Sequence, residues 1–329
     1  MDQLADFFKD KHVLVTGGAG FIGSNLTGKL LELGASVRVF DNLETGRMQN
    51  IAEFENHPRF DFFRGDIRKY DDCLAALDRI DLVSHQAALG SVPRSIALPL
   101  TTHDVNATGF LTLLEAVREK NIKRFVYASS SSVYGDSKIS PKTIGSEGKL
   151  LSPYAVTKHL NEEYAGVYNR LHQTETIGLR YFNVFGPKQD PKGVYAAAIP
   201  KFIDAMLSGG EITIHGDGEQ TRDFTYVDNA VRANLLGLST TNTEAFGKVV
   251  NVACGDYFSL NKVIASIKEA LQEMGKYHPE TKITNGPPRP GDIRDSLAAI
   301  STTTELIGYS DPILFHDGMA KYLKSIFHS

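Results

Sequence analysis

The chain has 329 residues, 42% of them hydrophobic and 22% charged, with a formal net charge of −4 at pH 7. That length is more than one compact core usually fills, so two domains are expected. The lack of basic excess excludes an electrostatic footprint for a nucleic-acid polymer.

The two cysteines, Cys73 and Cys254, share no CxxC spacing and suit a reducing compartment. The histidines are scattered, without metal-ligand spacing, so no metal is expected. Residues 1–11 are mixed and acidic and lack the apolar core of a signal peptide. No run of about 18 apolar residues occurs, so no membrane span is expected. A cytoplasmic chain is the natural expectation.

Residues 12–16 (HVLVT) are a short apolar run ahead of glycines, which reads as a buried parallel strand. Residues 21–33 follow as a helix, with Phe21, Ile22, Leu26, Leu30 and Leu33 near helical spacing. Gly34 stands where a helix-terminating glycine belongs. Strands are expected at 36–41, 60–63 and 80–85, a long helix at about 101–119, and a fifth strand at 124–128. Pro153 opens another helix, to about residue 171, in the first-turn position that tolerates proline. A sixth strand covers 176–181. This alternation predicts an α/β fold with a doubly wound parallel sheet of Rossmann type.

After Phe185-Gly186-Pro187 the rhythm breaks. Short strands (212–215, 249–252) then mix with helices (196–207, 228–238, 260–274), as in a smaller mixed α/β domain interleaved with the first. The expected division gives residues 1–182 to the first domain, with a returning segment at about 225–255. Residues 183–224 and 256–329 form the second.

The segment TGGAGFIG places Gly17, Gly20 and Gly23 three apart, after a strand and at the start of a helix. Dinucleotide binding needs this arrangement: a tight turn, backbone close to a pyrophosphate, and close helix–strand packing. The helix N-terminus donates N–H groups to the anion. Asp41 ends the next strand, where a carboxylate accepts from ribose hydroxyls and repels a 2′-phosphate, favouring NAD over NADP; Arg47 nearby weakens that argument.

Tyr154 and Lys158 are four apart on the helix from Pro153 and share one face. An ammonium, together with the positive charge of an oxidised nicotinamide, is expected to lower the phenol pKa, so that Tyr154 can take a hydroxyl proton. The fifth strand runs into Ser129-Ser130-Ser131-Ser132 at the edge where such sheets open their ligand crevice.

These stretches resemble the extended short-chain dehydrogenase/reductase superfamily over essentially the whole chain, and within it the nucleotide-sugar 4-epimerases, above all bacterial UDP-N-acetylglucosamine 4-epimerases. The matching segments are VTGGAGFIGSNL, HQAALGSVPRS, SPYAVTK, GLRYFNVFGPKQDP, YAAAIPKF, GDGEQTRDFTYVDN and RPGDIRDSLA. The resemblance implies Ser130 as the catalytic serine (with Ser131 as the alternative, since the run has a fourth serine), Tyr154 as the base, and Lys158 on the nicotinamide ribose. It implies cofactor contacts at Gly17, Gly20, Phe21, Ile22, Asp41, Asn42, Gly46, Asp66, Ile67, Gln86, Ala87, Asn106, Tyr154, Lys158 and Tyr181. Substrate contacts are implied at Gly90, Ser91, Arg94, Ser130, Ser131, Tyr154, Asn183, Gln189, Ala197, Arg222, Arg289, Asp292 and Ser296. Arg222 and Arg289 suit a diphosphate clamp; Arg232 and Arg294 lack such support and are expected at the surface.

The reaction so implied is NAD-dependent inversion at C4 of a UDP-hexose through a 4-keto intermediate. Small residues at Gly90 and Ser296 favour the UDP-GlcNAc/UDP-GalNAc pair, with UDP-Glc/UDP-Gal also admitted. Relatives pair through the helices here at about 101–119 and 153–171, which implies a homodimer. Rival readings stay open: a dehydratase or decarboxylase, which would want a carboxylate in the serine segment; a net reductase; or a non-catalytic NAD-binding protein.

Overall fold

The computed structural model describes residues 2–193, 196–287 and 294–327. The first part of the chain forms α1 (Asp2–Phe8), β1 (His12–Thr16), α2 (Phe21–Glu32), β2 (Ser36–Asp41), β3 (Phe60–Arg64), α3 (Tyr70–Ala76) and β4 (Leu82–His85). Next come α4 (Val92–Ala97), α5 (Pro99–His103), α6 (Gly109–Glu119), β5 (Arg124–Ser130), α7 (Pro153–His172) and β6 (Glu175–Tyr181). The remainder begins with β7 (Val184–Phe185), α8 (Ala198–Ser208), β8 (Glu211–His215), β9 (Thr221–Arg222), β10 (Thr225–Tyr226) and α9 (Val227–Ser239). It ends with β11 (Lys248–Val252), β12 (Phe258–Ser259), α10 (Leu260–Glu273), β13 (Lys282–Gly286), α11 (Ser301–Ile307) and α12 (Phe315–Phe327).

Seven strands make one parallel sheet in the order β11-β6-β5-β4-β1-β2-β3. The run HVLVT shows why it is buried on both sides. Val13 and Val15 pack into the cluster that holds Leu26, Leu30 and the α9 residues Val231 and Leu235. Leu14, between them, points into the opposite cluster with Phe110, Leu113 and Phe125. Period-two alternation therefore fills both faces with aliphatic side chains, and helices cover each face. The order reverses between β1 and β4, so a crevice opens at their carboxyl ends, where Gly17 and Gln86 emerge.

The long helix expected over 101–119 begins earlier, at Pro99, and is interrupted. Residues Asp104–Thr108 form a π-helical turn between α5 and α6. Such turns often sit at functional sites, and this one carries Asn106. The acidic N-terminal stretch is the helix α1; Phe8 is fully buried there, which sequence alone hid behind Asp2, Asp6 and Asp10.

Beyond β6 the chain pairs β8 with β13 in parallel and β9 with β12 antiparallel. It then returns through α9 to add β11 to the main sheet beside β6. Residues from β1, α2, α8, α9, α10 and α12 share a single apolar cluster.

Candidate active site

The glycine turn is held by the backbone. Gly17 N donates to Phe40 O at 2.9 Å and Gly20 N to Gly17 O at 3.0 Å. Gly17 has φ of +63°, and a Cβ there would lie 2.7 Å from the backbone of Ala87. A Cβ on Gly23 would meet Gly17 O at 2.3 Å. No side chain caps α2 at Gly20, so its first N–H groups face outward. Asp41 is buried, and its carboxylate accepts from Ala19 N at 3.0 Å and Leu43 N at 2.8 Å. Burial raises its pKa, and these two backbone donors oppose that. A turn this tight, with unused donors and a carboxylate beside it, fits a dinucleotide.

A cleft of about 700 Å³ runs from this turn to the end of β5. Its walls include Gly17, Gly20, Phe21, Ile22, Asp41, Asn42, Asp66, Ile67, Gln86, Ala87, Gly90, Ser130, Tyr154, Lys158, Tyr181, Asn183 and Gln189. All of these were expected from the sequence. Gly46 and Asn106 are off the wall. Gly46 packs behind Asp41, where a Cβ would lie 2.8 Å from Asp41 Oδ2. Asn106 is buried and clasps the β4 exit loop, accepting from Leu89 N at 2.8 Å and donating to Leu89 O at 3.2 Å.

Ser91, Arg94, Ser131, Ala197, Arg222 and Ser296 are also not on the wall. Ser91 caps α4, accepting from Arg94 N at 3.3 Å. Ser131 opens a 3-10 turn after β5, and Ala197 caps α8. Arg222 Nη1 donates to Thr221 O at 2.7 Å. Ser296 is buried, its carbonyl accepting from Asp223 N at 2.8 Å, and Asn183 Nδ2 donates to Asp223 O at 3.2 Å. Asn183, Asp223 and Ser296 are thus brought together beyond the sheet. Arg289 and Asp292 lie outside the described residues. Of the two arginines expected at the surface, Arg294 pairs with Asp217 at 3.0 Å, while Arg232 donates to Asp311 O at 3.2 Å.

At the inner end of the cleft Ser152 caps α7, accepting from Ala155 N at 3.2 Å, and Pro153 starts the first turn. This cap places Tyr154 and Lys158 one turn apart. Lys158 is fully buried; its Nζ donates to Ala128 O at 2.8 Å and lies 6.0 Å from the centre of the Tyr154 ring. Burial lowers the ammonium pKa to about 8, and the Glu162 carboxylate opposes that drop. Tyr154 faces the same cleft. Burial raises its pKa, a hydrogen bond with the Ser130 side chain opposes this, and the protein's own groups do not bring it below its usual value. Desolvation of the phenolate outweighs them.

Sequence reasoning missed two features of the site. The first is a polar knot behind the cleft wall at Gln86 and Tyr181. Tyr181 Oη donates to Gln86 Oε1 at 3.0 Å and accepts from Asn234 Nδ2 at 2.7 Å, while Gln86 Nε2 donates to Asn234 Oδ1 at 2.9 Å. Asn234 comes from α9, more than 50 residues beyond β6, and no local pattern marks it. The second is a strap across the cleft rim. Arg47 pairs with Asp190 at 2.5 Å, and Lys188 reaches Glu53 at 2.6 Å and Asn50 O at 2.8 Å. The Arg47 charge, which weakened the case for NAD over NADP, is matched by Asp190.

Comparison with known proteins follows the same lines. The chain is 40% identical over 266 residues to a putative UDP-glucose 4-epimerase of Methanocaldococcus jannaschii, covering 80% of this chain and 84% of that one. Among solved structures it resembles a UDP-N-acetylglucosamine 4-epimerase from Methanobrevibacter ruminantium in complex with UDP-N-acetylmuramic acid. There the TM-score is 0.89 and the identity 37%, over 97% of this chain and 99% of that one. A Thermus thermophilus UDP-glucose 4-epimerase in complex with NAD gives a TM-score of 0.85 and 32% identity, over 97% and 99%. Residues 13–253 match the NAD dependent epimerase/dehydratase family, and the chain belongs to it.

Proposed function

We propose that this protein inverts C4 of a UDP-hexose, interconverting UDP-GlcNAc and UDP-GalNAc and also accepting UDP-Glc and UDP-Gal. The observation that carries this reading is the meeting of Tyr154, Ser130 and Lys158 at one end of the cleft that begins at the glycine turn. NAD, held by the turn and by Asp41, supplies reversible oxidation of the sugar carbon when bound. Ser130 holds the reacting hydroxyl. Tyr154 takes its proton as the 4-keto sugar forms and returns it as that carbon is reduced from the other side. Lys158 orients the cofactor ribose and holds positive charge beside the phenolate. Ser130 is preferred to Ser131 because Ser130 lines the cleft together with Tyr154 and Ser131 does not.

Two further observations bear on the choice among chemistries. Among the described residues, the carboxylates on the cleft wall are Asp41, Glu44, Asp66 and Asp190, and none comes from the Ser129–Tyr134 turn. A dehydratase would want an acid/base carboxylate there. A Cβ built on Gly90 meets nothing within 4 Å, which favours room for a 2-N-acetyl group. A roomy pocket rejects a smaller sugar only weakly.

The test is to incubate the isolated protein with UDP-GalNAc and no added cofactor. UDP-GlcNAc should appear, and denaturation should release NAD. Loss of water or carbon dioxide, consumption of NADH, or no turnover would replace this reading with one of its rivals. Comparing specificity constants for both sugar pairs, before and after Ser296→Tyr, tests the room argument; retained activity on the acetylated pair would refute it.

We also infer a homodimer through α7 and the α5–α6 helix. The groove between them is lined by Leu111, Tyr164 and Tyr168, and Leu100 and Val156 lie exposed on the same two helices. Light scattering that gives a monomer mass would refute this. No helix among the described residues is long and apolar enough to cross a membrane.

A further inference from the structure

We propose that Glu162 is a positioning residue for the Tyr154–Lys158 pair, holding the end of β5 in register with α7 and supplying the counter-charge to the Lys158 ammonium. The inference rests on the catalytic reading of Tyr154 and Lys158 given above.

Tyr154, Lys158 and Glu162 stand four apart on α7 and so form a single stripe. Two of them bind successive residues at the end of β5: Lys158 donates to Ala128 O at 2.8 Å and Glu162 accepts from Ser129 Oγ at 2.5 Å. Ser130, next in the strand, lines the cleft with Tyr154. Two successive helical turns thereby pin two successive strand residues, and a slip of β5 against α7 breaks both contacts and moves Ser130 away from Tyr154.

Glu162 has its own anchor. Its side chain is 7% exposed and Arg180, on β6, is 3% exposed. Arg180 Nε and Nη2 reach the two Glu162 oxygens at 2.8 and 2.7 Å, a forked ion pair. Arg180 Nη1 binds Glu147, and the guanidinium lies 4.8 Å from the centre of the Tyr134 ring. The fork ties β6 to α7, and Ser129 ties β5 to the same carboxylate.

The charges around Lys158 balance only when all four ions are present: Lys158 and Arg180 against Glu162 and Glu147. The other titratable groups facing this cluster come from every element around it. His85 of β4 is fully buried and held neutral, its pKa lowered by burial and by Lys158 to about 3. His159 and Glu163 lie on α7, with His159 3.9 Å from each of the two glutamates. Tyr127 of β5 is buried, with its pKa raised by burial. Tyr134 stacks under Arg180. Glu162 is the group that opposes the effect of burial on Lys158. Removing its charge leaves Lys158 and Arg180 facing Glu147 alone, one buried positive charge unmatched, and Lys158 then loses its proton at a lower pH.

The experiment compares pH profiles of kcat for the holoenzyme and three variants, with NAD content and thermal unfolding measured alongside. Glu162→Gln should move the alkaline limb at least half a pH unit lower and cut kcat at pH 9 at least fivefold, with KM for the UDP-sugar within twofold. Glu162→Asp keeps the charge but is one methylene too short to span Ser129 and Arg180. Its alkaline limb should stay in place while plateau kcat falls severalfold. Tyr154→Phe should lose turnover while retaining NAD. A folded Glu162→Gln with an unmoved limb, or a Glu162→Asp with a wild-type plateau, overturns the proposal. Should Glu162→Gln not fold, the Glu162→Asp result decides. Full turnover by Tyr154→Phe overturns the catalytic reading and this inference with it. An inactive Tyr154→Phe beside an unmoved Glu162→Gln limb overturns this inference alone.

Discussion

Replacing Lys188 with Met should loosen the bound cofactor without unfolding the protein. Lys188 sits in the polar loop after β7, and its ammonium makes three contacts with the segment that follows β2. It reaches Glu53 Oε1 at 2.6 Å and Asn50 O at 2.8 Å, and lies 4.9 Å from the centre of the Phe54 ring. Asn50 in turn donates to Ala19 O at 2.8 Å, inside the glycine turn. The strap is therefore wired to the phosphate-binding backbone. Both the 47–50 segment and residues 188–191 line the cleft, so parting these contacts is expected to ease release of a dinucleotide bound there.

The carboxylate partner Glu53 is 62% exposed, so solvent screens that ion pair to about 0.5 kcal/mol. A hydrogen bond from an ammonium to a half-buried carbonyl contributes about 1.5 kcal/mol. The sum, about 2 kcal/mol, corresponds to roughly a thirtyfold faster release of NAD, at 1.4 kcal/mol per factor of ten. The assay is exchange of bound NAD for isotopically labelled NAD, followed by rapid filtration. Arg47→Ala should act in the same direction but more weakly, about threefold, since its pair with Asp190 is largely solvated. Unchanged exchange in both variants, with wild-type melting temperatures, would refute the idea that the strap gates the cofactor.

Other outcomes follow from the same geometry. Ser130→Ala should lower kcat by about a hundredfold or more, whereas Ser131→Ala should cost little; the reverse order would move the catalytic role one residue along. Asn106→Ala leaves Leu89 N and O without their partner inside the protein, and urea unfolding should show about 1–3 kcal/mol lost. Asp66 is held at a pKa of about 2, chiefly by its forked hydrogen bonds from Arg68. Its folded value lies below its unfolded one, so its stabilising contribution is present above about pH 4 and fades as pH falls towards 2. Asp66→Asn should therefore narrow the difference in urea midpoint between pH 5 and pH 3; an unchanged difference would show the pair contributes nothing.

Much of this molecule is legible in its sequence, for physical reasons that also explain what is not. Strands buried on both faces must be apolar throughout, so HVLVT and RFVYA announce themselves. The glycine turn is readable because a Cβ at Gly17 or Gly23 has nowhere to go, and Tyr154 with Lys158 because helical spacing puts them on one face. Two-residue strands such as β7, β9 and β10 have no period to detect. The strap, the Asn234 knot and the Glu162–Arg180 fork are long-range pairings between side chains that would look like ordinary surface polar residues if read locally. The Tyr154 phenol is sensitive to burial as well as to neighbouring cations, and sequence shows the cation but not the burial.

The return of the chain to the main sheet has a consequence for how this protein can be taken apart. β11 completes the sheet only after the polypeptide has left β6, built β7 to β10 and come back through α9. A fragment ending at residue 182 would present β6 as a raw edge and strip the sheet of the α9 side chains Val227, Val231 and Leu235. Neither half is expected to fold by itself. Unfolding should proceed as one cooperative event, and a graft that exchanges only the sugar-facing portion must carry α9 and β11 with it.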